Sequence, residues 1–275
     1  MLNIAFVISG EEIKQRYRAV EANTRLLRLL NDQCVINLVL GGSAKELGVN
    51  IKLFDHIYEA KPDEQDNHVS FLAKTLPLIQ GNNLLYLDEN LFSFSPMHVA
   101  LIRNMTSGVY VSKQVLDFRG NIIDPATTWT AQQLMSRHGW PIVSTKCIFL
   151  NKDQKSKSFF RALEQYSLAW TSIGENISDG AMKELTLDNV ISFVCQTNDD
   201  ECVRASALDY RDFGKRDFAR DNNWVHKDWH DWLDVWWVSK GIPHLRIENF
   251  RQQGLVYLSG NYIEKVEAWL EKISP

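Results

Sequence analysis

The sequence predicts an α/β fold built on a single, mainly parallel sheet flanked by helices, ending in a mixed α/β, tryptophan-rich section. Three observations carry this. Asn3–Ile8, Glu11–Leu30 and Cys34–Leu40 read as strand, helix and strand, a βαβ opening. Both strand segments are largely apolar, the pattern of strands covered by helices on two faces. Further apolar runs of strand length recur at Asn83–Leu87, Gly108–Leu116 and Pro141–Leu150.

Each element has a local reason. The first helix gathers Val20, Leu26, Leu27, Leu29 and Leu30 onto one stripe and stops at Asn31-Asp32. Gly41-Gly42 closes the second strand. A short strand is expected within Ile51–Tyr58, and a helix over Val69–Gln80 despite Pro77. Ser95 as a cap with Pro96 at the first helical position predicts a helix over Met97–Asn104. Phe118–Asp124 reads as a turn with a short return strand, and Ala131–His138 as a short helix. Lys152–Ala169 presents Phe159, Phe160, Leu163 and Tyr166 on one helical face, and Asp179–Cys195 presents Leu185, Leu187, Val190, Ile191 and Val194. Trp224, Trp229, Trp232, Trp236 and Trp237 then crowd a segment read as an amphipathic helix. A strand at Leu255–Leu258 and a helix at Tyr262–Ile273 close the chain. No repeat, low-complexity tract or linker interrupts it, so one domain over residues 1–275 is expected.

Bulk properties exclude several classes. The 275 residues are 45% hydrophobic and 23% charged, ordinary globular values, and the formal net charge of -4 gives no general attraction to nucleic acid or membranes. No apolar run approaches the roughly 20 residues that span a bilayer. Met1–Ile8 lacks the basic flank and length of a signal segment, so a cytoplasmic protein is expected. Cys34, Cys147, Cys195 and Cys202 form no CxxC pair, which argues against a zinc site and for reduced thiols. The chain carries no GxGxxG, no GxxxxGK[ST] and no GxSxG, which counts against dinucleotide-dependent dehydrogenases, P-loop kinases and serine hydrolases.

The most informative segment is Leu84–Phe94, LLYLDENLFSF. An apolar strand delivers Asp88 at its carboxyl end, where open α/β sheets bind ligands. Asp88 and Asn90, two apart in extended chain, point the same way and offer the oxygen donors that a hard divalent cation prefers. A polar strand-to-loop turn would have the same composition. After the first strand, Ser9-Gly10 would allow close approach of a nucleotide or form an ordinary strand-end turn, and Arg16 and Arg18 on the following helix are candidates to reach phosphates, solvated helical arginines being the alternative.

LLYLDENLFSF resembles the Asp-x-Asp region of GT-A fold glycosyltransferases: apolar strand, Asp-x-Asp, then a further apolar pair. The order of elements is similar over roughly residues 1–195, from the βαβ opening to PIVSTKCIFLNKD and the helix SKSFFRALEQY. The resemblance implies a GT-A-like fold in which residues 1–130 bind a nucleotide-diphosphate sugar and residues 131–275 the acceptor. It also implies a uridine diphosphate sugar as donor and a divalent metal, manganese or magnesium. Ser9, Gly10, Arg16 and Asp88 would then contact the donor, with Asp88 and Asn90 on the metal. Asn90, a neutral and poorer ligand, stands where the motif has its second Asp, and Glu89 or a late histidine (His226, His230 or His244) is a candidate to contribute to the metal shell. His226 and His230 also have the four-residue spacing that shares one helical face.

An inverting transfer needs a carboxylate base. Asp188 is the first candidate and Asp179 the second; a helix cap or an exposed charge would account for either. Two basic groups interleave with aromatics: Lys155 and Lys157 with Lys146, Lys152 and Arg161, and Lys215, Arg216 and Arg220 with Arg211, Tyr210, Phe213, Phe218 and Trp224. Such groups suit a polyanion with stackable bases, and equally a solvated face. They make modified double-stranded DNA an acceptor to consider, in likeness to the sugar transferases of T-even-like phages that act on hydroxymethylated cytosine. The competing expectation is a non-catalytic nucleotide-binding or interaction protein that retains the fold.

Overall fold

The computed structural model describes residues 2–30, 33–63, 67–94, 105–117, 120, 122–123, 143–173, 186–197, 202–212, 233–238, 242–247, 250–252, 254–258 and 261–273, with backbone alone for 233–252. The elements begin with β1 (Asn3–Ile8), α1 (Ile13–Leu30), β2 (Val35–Leu40), α2 (Ala44–Leu47), β3 (His56–Glu59), α3 (His68–Thr75), β4 (Asn83–Leu87) and β5 (Leu91–Ser93). There follow β6 (Val109–Ser112), β7 (Val115–Leu116), β8 (Ile122–Ile123), β9 (Ser144–Asn151), α4 (Gln154–Leu168) and α5 (Leu187–Thr197). The last are β10 (Cys202–Ala205), β11 (Tyr210–Asp212), β12 (Leu233–Val238), β13 (Ile242–Ile247), β14 (Phe250–Gln252), β15 (Leu255–Tyr257) and α6 (Asn261–Ile273).

The main sheet has seven strands in the order β10-β6-β9-β4-β1-β2-β3. β4, β1, β2 and β3 run parallel, as the βαβ opening requires. β9 lies between β4 and β6, antiparallel to both. The strands are buried on two faces. Ala5, Val7, Leu84, Tyr86, Ile148 and Leu150 pack with residues of α3, α4 and α5. Ile4, Phe6, Ile8, Leu85, Leu87 and Phe149 pack with Tyr17, Val20 and Leu27 of α1 and with Tyr210 and Leu255. Strand residues on both parities are therefore core, which is why the sequence shows continuous apolar runs.

The single-sheet expectation is corrected: among the described residues two smaller sheets accompany the main one, β5-β15-β11-β7-β8 and the antiparallel β12-β13-β14. Gly108–Leu116 is accordingly two strands. The carboxylate of Asp209 accepts from the N–H groups of Lys113 (3.0 Å) and Gln114 (2.8 Å), drawing the chain out of the main sheet between them. Ile51–Tyr58 is a 3-10 turn at Ile51–Leu53 followed by β3, and the helix at Val69 gives way to a 3-10 turn at Leu76–Leu78, where Pro77 sits. The tryptophan-rich segment does not continue as a helix through Trp237, because Leu233–Val238 pairs antiparallel with Ile242–Ile247. The β-branched and aromatic residues of LDVWWV favour a pleated strand over a helix. The helices expected at 97–104 and 131–138, and the portion of 179–195 before residue 186, lie outside the described residues. The main sheet draws strands from both sides of residue 130. Among the described residues no helix is long and apolar enough to cross a membrane.

α4 is fixed to the sheet by its cap. The Asp153 side chain accepts from Ser156 N–H at 2.9 Å, from the Ser107 hydroxyl at 2.8 Å and from Gly108 N–H at 2.8 Å. These bonds hold its carboxyl below the usual range despite partial burial. Asp153→Ala removes a helix cap and leaves Gly108 N–H without that acceptor. It is expected to cost about 2 kcal/mol in urea unfolding, with Asp153→Asn recovering part of the loss. A cost under about 0.5 kcal/mol, the scale of ordinary surface substitutions, would show that the cap does not hold the helix to the sheet.

Candidate functional site

At the carboxyl end of β4 the chain leaves the main sheet through Asp88-Glu89-Asn90 and enters the second sheet as β5. This corner is held from three directions. Leu91 N–H donates to the Asp88 carbonyl at 2.9 Å, and Leu258 N–H donates to the Asn90 carbonyl at 2.8 Å. The buried Asn23 amide, from α1, donates to the Leu91 carbonyl at 2.7 Å and to the Glu89 carbonyl at 3.4 Å. Asp88 and Glu89 are themselves buried, at 8% and 7% exposure.

Buried carboxylates need partners, and each has a cation. Leu87 faces Cys147 across the antiparallel β4–β9 pair, and Asp88 N–H donates to the Lys146 carbonyl at 2.8 Å, so Asp88 and Lys146 stand side by side. Lys146 Nζ donates to Asp88 Oδ2 at 2.7 Å while Asn90 N–H donates to Oδ1 at 3.0 Å. Burial alone would push the Asp88 carboxyl up; the Lys146 ammonium, with the Asn90 N–H bond and the Arg16 charge, outweighs it and holds the carboxyl below its usual range. Burial likewise opposes the ammonium, and the Asp88 charge reverses that, keeping Lys146 protonated. The Tyr257 ring, from β15, lies 5.0 Å from Nζ.

Glu89 receives a two-pronged bond from Arg16, Nε to Oε1 at 2.6 Å and Nη2 to Oε2 at 3.1 Å. Arg16 Nη1 also donates to the Ser9 carbonyl at 2.9 Å, tying the end of β1 to the end of β4. Arg16 Nη2 lies 3.4 Å from His68 Nε2, and Ser9 Oγ lies 3.4 Å from His68 Nδ1. A guanidinium only donates, so Nε2 is the acceptor; Nδ1 then carries the proton and donates to Ser9 Oγ. His68 is the first residue of α3, placed there by a capping box in which the Asn67 side chain accepts from Ser70 N–H at 2.8 Å. The turn after β1 is open: Gly10 has a φ of 93°, and a Cβ there would meet nothing within 4 Å. Gly41, by contrast, lies so close that a Cβ would come within 2.6 Å of Ser9 Cβ, so the ends of β1 and β2 touch.

Of the residues singled out in the sequence, Ser9, Arg16, Asp88, Asn90 and Asp188 gather at this end of the sheet. Asp188, in the first turn of α5, accepts from Thr145 N–H at 2.9 Å and from the Thr145 hydroxyl, one residue from Lys146. Gly10 borders the same turn. Arg18 does not join them; it pairs with Glu267 of α6. Lys155 and Lys157 lie in the first turns of α4, exposed, at the far end of β9, where Asn151 faces Asn83 and Lys152 N–H donates to the Asn82 carbonyl at 2.9 Å. The basic group that contained Lys146, Lys155 and Lys157 is thus split between opposite ends of one strand. His244 lies in β13, described as backbone alone; Asp179, His226, His230, Lys215, Arg216 and Arg220 lie outside the described residues. Sequence reasoning missed His68, Asn23 and Tyr257, and its one available signal was Asn67 as a helix cap ahead of His68-Val69.

A divalent cation does not fit the described corner. Each oxygen of Asp88 and of Glu89 already accepts a hydrogen bond from a protein donor. Among the described residues no group of three or more His, Cys, Asp or Glu could hold a metal ion.

His68 gives this network a pH signature. Burial, with the Arg16 charge beside it, pushes its pKa down from 6.5 to about 4. Between those values the unfolded chain binds a proton that the folded chain refuses, so stability is full above pH 6.5, falls with pH, and levels off below about 4. The expected loss is about 3 kcal/mol, read as the difference between wild type and His68→Gln in urea unfolding from pH 7 to pH 4. Parallel curves for the two proteins would contradict a neutral, buried imidazole.

No protein-family profile matches the chain, and no curated protein matches it. Solved structures do. A galactosyltransferase, LgtC, in complex with donor and acceptor sugar analogues, superposes with a TM-score of 0.56 at 9% identity, over 99% of this chain and 96% of that one. An active-site mutant of LgtC gives 0.51 at 10% identity, over 82% and 80%. At that identity the likeness bears on architecture alone, and it establishes a mixed α/β, GT-A-like fold for this chain.

Proposed function

We propose that this chain is a glycosyltransferase that takes a sugar from a nucleoside diphosphate sugar, uridine diphosphate being the expected nucleotide, and passes it to an acceptor hydroxyl. The observation that carries this reading is the corner at Asp88-Glu89-Asn90. Carboxylates and cations converge there, beside the open Ser9-Gly10 turn, at the strand ends where an open sheet accepts ligands. In the transfer the bond between the sugar anomeric carbon and the diphosphate oxygen breaks, and its electron pair leaves with the diphosphate. The acceptor oxygen forms the new bond and gives up its proton. Cationic donors near the diphosphate stabilise the charge it gains. Asp188 is supported as the base by its place at the same sheet end, with Thr145 bonding only its Oδ1; Asp179 is the second candidate.

The hydroxymethyl group of modified cytosine in duplex DNA is the narrowest acceptor proposal. An enzyme that grips a duplex while one base enters its site needs its phosphate contacts on the side of that site. Lys155 and Lys157 sit at the opposite end of β9 from Asp88, so this acceptor rests on Lys215, Arg216 and Arg220.

The test is incubation of the purified protein with a panel of nucleotide sugars, each with hydroxymethylcytosine DNA, simple glycosides or water as acceptor, followed by mass spectrometry. A uridine diphosphate sugar should be consumed, and Asp88→Asn, nearly the same shape, should slow consumption roughly 100-fold while the protein still unfolds cooperatively on heating. If no nucleotide sugar is consumed and none raises the melting temperature, the chain is no transferase and the fold serves another purpose.

A further inference from the structure

We propose that the Lys146 ammonium, pinned to Asp88 at the carboxyl end of β4, stands in for a divalent cation and binds the diphosphate of the donor directly, so that donor binding requires no metal ion. The inference rests on the glycosyltransferase reading of this site and names the group that meets the leaving diphosphate.

The charges of the corner already balance. Asp88 and Glu89 supply two negative charges, and Lys146 and Arg16 two positive ones, all within paired distances of 2.6–3.1 Å. A site built for a divalent ion leaves its carboxylates uncompensated until the ion arrives; here the protein has supplied the compensation from its own side chains. The two cations differ in what they have left to offer. Arg16 spends Nε, Nη1 and Nη2 on Glu89, the Ser9 carbonyl and His68, and so acts as scaffold. A primary ammonium carries three donors, and among the described residues Lys146 Nζ donates to Asp88 Oδ2. Its side chain remains 35% exposed while that of Asp88 is 12% exposed. The carboxylate is enclosed, and the lysine is the more exposed member of the pair. The Tyr257 ring at 5.0 Å covers one side of Nζ and limits the directions from which an anion can approach. Position and charge are both fixed before the ligand binds, which is the condition for an effective electrostatic contact.

The measurement is nucleoside diphosphate binding by isothermal titration, using uridine, adenosine, guanosine, cytidine and thymidine diphosphates, on protein stripped of metal with excess EDTA and again with manganese added. The proposal expects the tightest of these to bind in EDTA with an affinity within about twofold of that in manganese. Lys146→Met should weaken binding about a hundredfold, and Lys146→Arg should keep it within about tenfold. Because Lys146→Met strands a buried carboxylate, the Asp88→Asn/Lys146→Met double variant is the partner control; it removes both charges and should also lose binding. Binding that appears only with manganese or magnesium overturns the proposal and leaves the transferase reading standing. Undiminished binding by a folded Lys146→Met or double variant also overturns it. Absence of binding to any nucleoside diphosphate, with or without metal, removes the transferase reading and this inference together.

Discussion

Lys146 and Asp88 stand on antiparallel neighbours with their side chains 2.7 Å apart at the carboxyl end of β4, the carboxylate buried and the lysine half-buried. A pair in that setting adds little to stability, because desolvation consumes most of the attraction. What it does is specify. Either charge alone would be costly there, so β4 and β9 must meet in one register, with Leu87 opposite Cys147. That register fixes where the chain turns into β5, where Tyr257 lies and how Asp188 reaches Thr145.

The second ion pair extends the same logic to β1. Arg16 fastens the Glu89 carboxylate to the Ser9 carbonyl, so the two strand ends that would border a donor cannot move independently. His68 completes the brace only as a neutral imidazole, donating to Ser9 and accepting from Arg16. Buried polar groups satisfied in this reciprocal way rigidify a site. The open turn at Gly10 beside the braced end of β1 is the form expected of a surface that a ligand's backbone-sized groups approach closely.

Much of this was legible in the sequence, and the rest was not for identifiable reasons. The βαβ opening, β4 with Asp88 at its end, α4 and α6 follow from periodicity and caps, because each is a local pattern. Ser9, Arg16 and Asp88 were drawn together by their places at strand ends and on the first helix. Strand direction is not a local property: nothing in PIVSTKCIFL says that β9 runs antiparallel, and without that Lys146 reads as one lysine in a basic run with Lys155 and Lys157. The split of Gly108–Leu116 depends on Asp209, which is remote in sequence. The tryptophans at 229, 232 and 236 mimic a helical stripe, while the strand that holds Trp236 and Trp237 is set by its partner at 242–247.

The central claim is that the protein carries its own cation at Asp88. Diffraction from crystals grown with a nucleoside diphosphate and manganese, recorded at the manganese absorption edge, tests it most directly. The account predicts a diphosphate oxygen within hydrogen-bonding distance of Lys146 Nζ, the Lys146–Asp88 pair intact, and no anomalous peak beside Asp88. A manganese peak coordinated by Asp88, with the Lys146 side chain turned away, would contradict it.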